Sequence, residues 1–277
     1  TTKEGKKLPL ESVQKRSIAI YQFGEGEQEY IIYIATLHGN ETLGKSLLEN
    51  LMEELRRDPS LYQNKTIYCI PVLNPDGYEV KSKENANQVD LAYDFFEVGT
   101  TSPQPETTLL LNLVEPLLKK KVKLLAIHEA QKGIIFHTAS AKELAELMAI
   151  YNKLKVVLTQ EKPGTLSHYY GQGYHLPVIL LELSPLSLQE AWLQNKEALL
   201  AVLRSNTRQT LIPLNEYGLA VVNTLELYHA LIQQDPHKQL VDLEKWIPES
   251  RLDIKYATTD NFMKQKLYTS AKAFLRH

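Results

Sequence analysis

Four apolar segments recur along the first two thirds of the chain, and polar stretches separate them. Each segment is short and almost continuously apolar, which is typical of a strand that is buried on both faces of a parallel sheet. The sequence therefore predicts four such strands, Glu29–Leu37, Thr66–Leu73, Val122–Ile127 and Pro177–Leu183.

The stretches between these strands carry the periodicity of amphipathic helices. In one of them Leu43, Leu47, Leu51 and Leu55 form a single apolar stripe, and in another two prolines mark the entry to a leucine-rich segment. Helices are predicted over Thr42–Arg57, Pro105–Leu118, Ala139–Leu154 and Leu188–Arg204. Strands that alternate with helices favour an α/β fold, with a mostly parallel mixed sheet sandwiched by helices.

The alternating pattern ends near Pro213, and the composition changes after Gly218. We therefore predict a main domain over residues 1–214 and a short C-terminal extension over residues 215–277. The extension is small for a domain that folds alone.

Composition and charge indicate which classes of binding partner to expect. The chain has 277 residues, of which 43% are hydrophobic, and its formal net charge is -2. This balance gives no reason to expect a nucleic-acid or anionic-membrane partner. No apolar run approaches the roughly 20 residues of a membrane span, and the N-terminus shows no charged-then-apolar leader. The oligomeric state and the compartment stay open.

Polar residues stand where each predicted strand ends. His38–Glu41 follow the first strand, Asn74–Gly77 follow the second, and His128 and Glu182 come at the ends of the third and fourth. In an open parallel sheet, ligands bind in the crevice beyond the carboxyl ends of the strands. We therefore expect these side chains to converge there, although they are far apart in the sequence.

Three of these residues have the chemistry of a metal site. His38 and Glu41 are separated by two residues on a turn from strand to helix, a spacing that can bring an imidazole and a carboxylate onto one zinc ion. The H-x-x-E pattern alone is weak, and His128 supplies the third ligand. Three protein ligands leave one zinc position for water, which indicates a catalytic site.

Glu182 lies inside an apolar run, LPVILLELS. A carboxylate in such a run is either the partner of a buried cation or a functional base. Beside zinc it can take a proton from the metal-bound water and pass it to the leaving amine.

Several motifs together resemble the carboxypeptidase A-like zinc peptidases, especially the bacterial, murein peptide amidase-like branch that acts on peptidoglycan peptides. They occur in family order: HGNE at His38–Glu41, NPDGYE at Asn74–Glu79, NANQVDL at Asn85–Leu91, the strand that ends in His128, SPQPET at Ser102–Thr107, and Pro163–Leu183. The resemblance implies that His38, Glu41 and His128 bind zinc and that Glu182 is the general base.

The chain departs from this family beside the metal motif. The family's NANGVDL continues as NRNF, whose Asn and Arg grip the terminal carboxylate of the substrate, whereas this chain has Ala92 and Tyr93 there. A bidentate clamp on a carboxylate is therefore absent at this point. Asp94 adds a negative charge. We expect Tyr93 and Asp94 to line a pocket that prefers an amine-bearing group, or whose substrate carboxylate is held by a residue elsewhere.

Three further candidates come from the resemblance. Lys83 stands where the bacterial family has an Arg that faces the oxyanion; it keeps the charge but loses the planar fork. The alternative for Lys83 is a plain surface lysine. The family's mobile tyrosine comes from the neighbourhood of Tyr169 and Tyr170, and both are candidates for substrate binding.

The C-terminal extension carries a separate resemblance. LVDLEKWIP at Leu240–Pro248, LDIKYATTDNF at Leu252–Phe262 and LYTSAKAFLR at Leu267–Arg276 look like the opening of the D-alanyl-D-alanine dipeptidase family. That family's zinc ligands come further downstream, so a complete second centre is not expected before His277.

These resemblances imply zinc-dependent hydrolysis of an amide bond in a peptidoglycan-derived peptide, with a muropeptide stem as substrate, in the bacterial cytoplasm or periplasm. One alternative is an N-acyl amino acid deacylase of the succinylglutamate desuccinylase or aspartoacylase type, which shares the HGNE motif. Another is a catalytically weak, zinc-bound protein that recognises wall peptides.

Overall fold

The computed structural model describes residues 10–96, 103–160 and 162–205. Within these ranges the strands are β1 (Leu10–Glu11), β2 (Ser17–Ile18), β3 (Tyr21–Phe23), β4 (Glu29–Ala35), β5 (Lys65–Ile70), β6 (Val122–Glu129), β7 (Ile134–His137), β8 (Lys155–Leu158) and β9 (Val178–Leu183). The α-helices are α1 (Leu43–Arg57), α2 (Pro75–Val80), α3 (Pro105–Val114), α4 (Lys142–Asn152) and α5 (Leu188–Arg204). A π-helix spans Ser167–Gln172.

Seven of the described strands form one mixed sheet, in the order β3-β5-β4-β6-β9-β7-β8. The central strands β5, β4, β6 and β9 are all parallel to their neighbours in this group, whereas β3 and β7 join it antiparallel. These central strands are the four that the apolar pattern predicts. The predicted α/β fold with a mostly parallel mixed sheet is therefore confirmed.

Helices cover both faces of the sheet, as a sheet without a solvent-facing side requires. On one face α1, α4 and α5 pack a core that includes Leu47, Leu144 and Leu199. On the other face α3 and the π-helix pack a second core that includes Leu110 and Tyr170. The chain is thus a three-layer arrangement, and the carboxyl ends of its central strands meet at one edge.

Helix boundaries differ from the prediction where local chemistry intervenes. The segments Leu43–Arg57 and Leu188–Arg204 form helices almost as predicted. Helix α3 ends early, at Val114, and a 3-10 turn follows. Pro116 explains the change, because it lacks an N–H and its ring clashes with a regular helix.

The apolar pattern does not predict the outer strands β3, β7 and β8. They are three or four residues long, and none of them is fully buried. Short, half-exposed edge strands lack the continuous apolar run that marks a central strand, so their existence depends on the neighbours with which they pair.

A buried charge cluster fixes the opposite, amino-terminal edge of the sheet. Glu29 on β4 pairs with Lys123 at 2.9 Å and with Lys65 at 3.3 Å, and all three side chains are largely buried. Lys123 Nζ also donates to the carbonyl of Val202 at 3.0 Å, and Lys65 donates to that of Leu203. The cluster therefore binds the end of α5, where cations are favoured by the helix dipole.

The chain divides into two units, Thr1–Arg204 and Ser205–His277. The predicted boundary after residue 214, the C-terminal extension and its dipeptidase-like motifs lie outside the described residues. No helix in the described part of the chain is long and apolar enough to cross a bilayer.

Candidate metal and catalytic site

The polar residues predicted to converge do meet at the carboxyl edge of the central strands. His38 lies three residues beyond the end of β4, and Glu41 lies two residues before α1 begins. His128 and Glu182 are still within β6 and β9, and they are direct partners in the parallel register of these strands. The sheet topology therefore brings the four residues together.

A strained turn presents His38 and Glu41. Thr36 has a φ of 53°, which is unusual for a β-branched residue and typical of positions that surrounding contacts hold in place. Its hydroxyl donates to the carbonyl of Glu41 at 3.2 Å. Asn74 donates its backbone N–H to the carbonyl of Thr36 at 3.0 Å and its side-chain amide to that of Leu37 at 3.2 Å. The NPDG segment thus supports the HGNE turn.

Two glycines allow these segments to touch. A Cβ at Gly39 would lie 2.0 Å from the carbonyl carbon of Gly77, and one at Gly77 would lie 2.5 Å from the Asn74 side chain and the Glu84 carbonyl. No side chain fits at such distances without moving the backbone. The glycines of HGNE and NPDG are therefore explained by the close packing of the two motifs.

His38, Glu41 and His128 form a group that can hold a metal ion, and one ligand atom from each lies within 4.8 Å of the others. The two Glu41 oxygens lie 2.6 Å from Nδ1 of His38 and 2.9 Å from Nδ1 of His128. Two imidazole nitrogens and one carboxylate oxygen are a known donor set of catalytic zinc. The residues present therefore fit zinc, with Nδ1 as the metal-facing nitrogen of each histidine.

Asp90 orients the first of these histidines. Its Oδ1 lies 3.0 Å from Nε2 of His38 and accepts the backbone N–H of Ala92 at 3.0 Å. A carboxylate behind a metal-binding histidine fixes the ring and its tautomer. In the sequence, Asp90 is only one residue of NANQVDL, and no local signal marks this role; its position beside the metal ligand appears only in the structure.

The charges of these groups depend strongly on one another. Burial lowers the pKa of His38, but hydrogen bonds to Asp90 and Glu41 outweigh burial and raise it to about 9. Burial raises the pKa of Glu41, but hydrogen bonds to His128 and His38 outweigh it and lower the pKa to about 2. Glu41 is therefore an anionic ligand across the usual pH range.

Glu182 faces the metal group from the neighbouring strand. Because His128 and Glu182 are register partners, their side chains lie on the same face of the sheet. Burial raises the pKa of Glu182, and the nearby Glu41 raises it further, while His128 and His38 oppose the change. A half-buried carboxylate with a raised pKa suits a group that takes up and returns a proton.

Lys83 and Tyr93 lie beside the site on its exposed side. Lys83 Nζ pairs with Oδ2 of Asp90 at 2.8 Å, and its side chain is 47% exposed. Tyr93 is also 47% exposed, and its backbone N–H donates to the carbonyl of Asp90 at 3.0 Å. The roles predicted for Lys83 at the oxyanion and for Tyr93 at the substrate stay predictions.

Asp94 supports the backbone before α3. Its side chain is buried, and Oδ2 accepts the backbone N–H of Gln104 at 2.7 Å. Asp94 therefore holds the segment before α3, and its predicted place in a substrate pocket stays a prediction.

Tyr169 and Tyr170 are also interior residues. Tyr170 is fully buried and Tyr169 almost so, and the two rings meet edge-on, with centroids 4.9 Å apart. Both also contact Phe95. The π-helix packs both rings into the second core. Their predicted contact with substrate stays a prediction.

Comparison with known proteins identifies the family. The model of the zinc carboxypeptidase family matches residues 10–158. Carboxypeptidase D of Anas platyrhynchos is 37% identical over 133 residues, which cover 39% of this chain and 9% of that protein. Carboxypeptidase M of Mus musculus is 32% identical over 125 residues, which cover 36% of this chain and 28% of that protein. The chain thus matches only a minor part of these relatives.

Solved structures share the fold. Murein-tripeptide amidase MpaA from Escherichia coli O157 is 21% identical with a TM-score of 0.61, covering 75% of this chain and 95% of that one. Carboxypeptidase A from Helicoverpa armigera is 16% identical with a TM-score of 0.58, covering 69% of this chain and 65% of that one. At such identities the likeness shows the fold alone. With its matching family model and its His-Glu-His group, the chain belongs to the zinc carboxypeptidase family, whose members are zinc-dependent.

Proposed function

We propose that this chain hydrolyses an amide bond, with zinc held by His38, Glu41 and His128 and with Glu182 as the base. One observation carries the proposal: Glu182 is the register partner of the ligand His128 and lies on the same face of the sheet. A base on the strand next to a metal ligand can reach a water molecule at the metal without any rearrangement of the sheet.

The chain's own residues account for the proton transfers. When bound, zinc polarises the scissile carbonyl and lowers the pKa of its water. The Glu182 carboxylate takes a proton from the attacking water and returns it to the nitrogen of the leaving amine. Burial, which raises the pKa of Glu182, favours the protonated form that the second step needs.

We further propose a peptidoglycan-derived peptide as substrate, cleaved in the manner of a carboxypeptidase or a murein peptide amidase. The fold neighbour named murein-tripeptide amidase supports this class, and so does the resemblance of the C-terminal extension to a family acting on wall dipeptides.

The residues after Asp90 bear on the choice of substrate. Ala92 and Tyr93 replace the Asn-Arg pair that grips a terminal carboxylate, and neither can form a bidentate pair with one. We therefore expect that hydrolysis does not require a free α-carboxylate on the substrate. In place of that carboxylate, the pocket beside Ala92 and Tyr93 would hold an amine-bearing group.

Mass spectrometry of defined stem peptides, incubated with the zinc-loaded chain, tests the proposal. Each peptide is supplied with a free and with an amidated C-terminus, and Glu182→Gln serves as the inactive control. We expect metal-dependent release of an amino acid or diamino acid from the free form and of the corresponding amide from the amidated form. A strict need for the free carboxylate contradicts the expectation for the pocket, and no cleavage of any stem peptide by the zinc-bound chain contradicts the substrate class.

A second candidate is a zinc-bound protein that recognises wall peptides without efficient turnover. The replacement of the Asn-Arg pair by Ala92 and Tyr93 favours it, whereas Glu182 beside an intact metal group opposes it. Calorimetric binding of the same peptides, without cleavage over hours, would support this candidate. Release of amine from N-acyl amino acids instead would support a deacylase.

A further inference from the structure

Glu129 is not a member of the metal group, but it joins β6, which carries His128, to helix α1, which follows Glu41. It directly follows the ligand His128 on β6, and its Oε1 accepts the backbone N–H of Leu43 at 2.6 Å. A second backbone hydrogen bond comes from Gly44. Leu43 and Gly44 begin helix α1, which starts two residues after the ligand Glu41. The strand that carries one ligand is therefore bonded to the helix that follows another.

The side chain of Glu129 lies on the face of the sheet that α1 covers. Ile127 and Leu125, two and four residues earlier on β6, belong to the core beneath α1. Side chains alternate along a strand, so Glu129 shares their face while His128 points to the other. Adjacent residues on β6 thus point to opposite faces of the sheet: His128 points towards the metal group and Glu129 towards helix α1.

Helix α1 has no cap of its own. The side chain of its N-cap residue, Thr42, makes no capping hydrogen bond, and the first turn contains no acidic residue. The first N–H groups of a helix need acceptors and favour negative charge. Glu129 supplies both from a strand that is remote in sequence.

The packing of Gly44 gives independent support. A Cβ at this position would lie 3.1 Å from Cγ2 of Ile127 and 3.4 Å from the Ile127 carbonyl. The first turn of α1 is therefore packed directly against β6, close enough for Glu129 to reach its N–H groups. A larger residue would push the helix start away from the strand.

We propose that Glu129 is a positioning residue of the zinc site, which holds the start of α1 against β6 and so sets the separation of Glu41 from His128. It contacts neither the metal group nor the substrate region in the described structure. Metal sites need their ligands held to within a few tenths of an ångström, and supporting contacts of this kind contribute to metal affinity. The inference rests on the zinc-binding part of the proposed function and is independent of the substrate.

The test compares four variants of the full chain. Glu129→Ala removes the acceptor, Glu129→Gln keeps a neutral acceptor of the same length, and Glu129→Asp keeps the charge but shortens its reach. Glu190→Ala is the matched control, because Glu190 caps the start of α5 through Ser187 at 2.6 and 3.0 Å. Zinc affinity is measured by competition with a chromophoric chelator, and Co²⁺ spectra report the ligand geometry.

We expect Glu129→Ala to weaken zinc binding by about 10-fold or more and to shift the Co²⁺ absorption bands. Glu129→Asp should weaken zinc binding less, and Glu129→Gln should restore affinity and spectrum to near the parent values. Glu190→Ala should lower the melting temperature of the metal-free protein with no change in zinc affinity. Glu129→Asp keeps the test decisive if Glu129→Ala does not fold.

Two outcomes contradict the inference, and only the second of them also contradicts the proposed function. If the parent binds zinc tightly and folded Glu129→Ala or Glu129→Asp variants bind it equally well with the parent Co²⁺ spectrum, Glu129 is only a helix cap. If the parent chain itself does not bind zinc, both the proposed function and this inference are wrong.

Discussion

At the scale of single residues, the role of a side chain depends on the face of the sheet or helix to which it points and on how deeply it is buried. Glu182 interrupts an apolar run, yet its register with His128 turns the carboxylate towards the metal group. Asp94 and Tyr170 also lie in the family motifs, and both are buried. Motif membership therefore identified the members of the candidate metal group, but it did not separate the residues at the group from those that support it.

Replacing Glu182 by Gln should abolish turnover and spare the metal. The amide cannot accept the proton of water, and loss of a general base typically costs about 10²–10⁴-fold in rate. Steady-state kinetics on a cleaved peptide, together with the zinc content of the purified variant, check both statements. Turnover equal to that of the parent would exclude Glu182 as the base, and loss of zinc would indicate a structural role.

At the scale of elements, the central strands and long helices follow the sequence pattern, while short elements depend on their partners. Strand β4 is buried along its whole length, so its apolar run identifies it without further context. The π-helix Ser167–Gln172 has no such signature, because its turn is fixed by the packing of Tyr169 and Tyr170 against Phe95. Local pattern thus predicts elements whose burial is uniform.

The charge cluster beneath α5 should matter far more than an exposed ion pair. Lys123→Met leaves Glu29 buried without one of its partners, and breaking a buried pair in this way costs about 3–5 kcal/mol of unfolding free energy. Lys120→Met is the matched control, since Lys120 pairs with Glu27 at 3.3 Å on the surface and should lose about 1 kcal/mol or less. Urea unfolding of both variants measures the difference; equal losses would contradict the structural role of the cluster.

Strands β1 and β2 pair as an antiparallel hairpin, and Asp76 attaches this hairpin to helix α2. This buried carboxylate accepts hydrogen bonds from the Ser12 hydroxyl at 2.7 Å, the Gln14 N–H at 2.9 Å and Arg16 Nη1 at 2.7 Å. Burial raises the pKa of Asp76, but these bonds outweigh burial and lower it. The hairpin therefore stabilises the segment that supports the HGNE turn.

Asp76→Asn should destabilise the protein in a pH-dependent way. At neutral pH we expect a loss of about 1.5–3 kcal/mol, because bonds to a charged acceptor are weakened. The folded-state pKa lies below the unfolded value of about 3.9, so the contribution is complete above that value and is lost as the pH falls through the folded pKa.

Urea unfolding between pH 7 and pH 3 should thus show a constant difference in unfolding free energy between the parent and Asp76→Asn proteins. This difference should narrow only below about pH 4. Asp58→Asn, at the exposed start of a 3-10 turn, is the control that should change little. A difference in unfolding free energy that does not depend on pH would show that the charge of Asp76 contributes nothing to stability.

At the scale of the whole molecule, the metal group joins distant parts of the fold. It draws one pair of ligands from the turn between β4 and α1 and the third from β6, so bound zinc connects segments that separate on unfolding. A ligand that binds only the folded state stabilises it by mass action, by about 2.7 kcal/mol at a hundred times its dissociation constant.

Removal of zinc with a chelator should therefore lower the melting temperature, and added zinc should restore it. Glu182→Gln should keep this zinc-dependent shift, whereas His128→Ala should lose it because one of three ligands is gone. Calorimetric melting with and without zinc makes the comparison. A shift that persists in His128→Ala would place the bound metal somewhere other than this group.

By itself, the sequence determined the central sheet, the long helices and the members of the His38-Glu41-His128 group, because these depend on uniform burial and on motifs with fixed spacing. Only the tertiary structure decided the supporting roles. That Asp90 orients His38, that Glu129 caps α1, and that Asp94 and both π-helix tyrosines turn inwards all depend on contacts between segments remote in the chain. Such contacts follow from strand register and helix packing, and no local pattern records them.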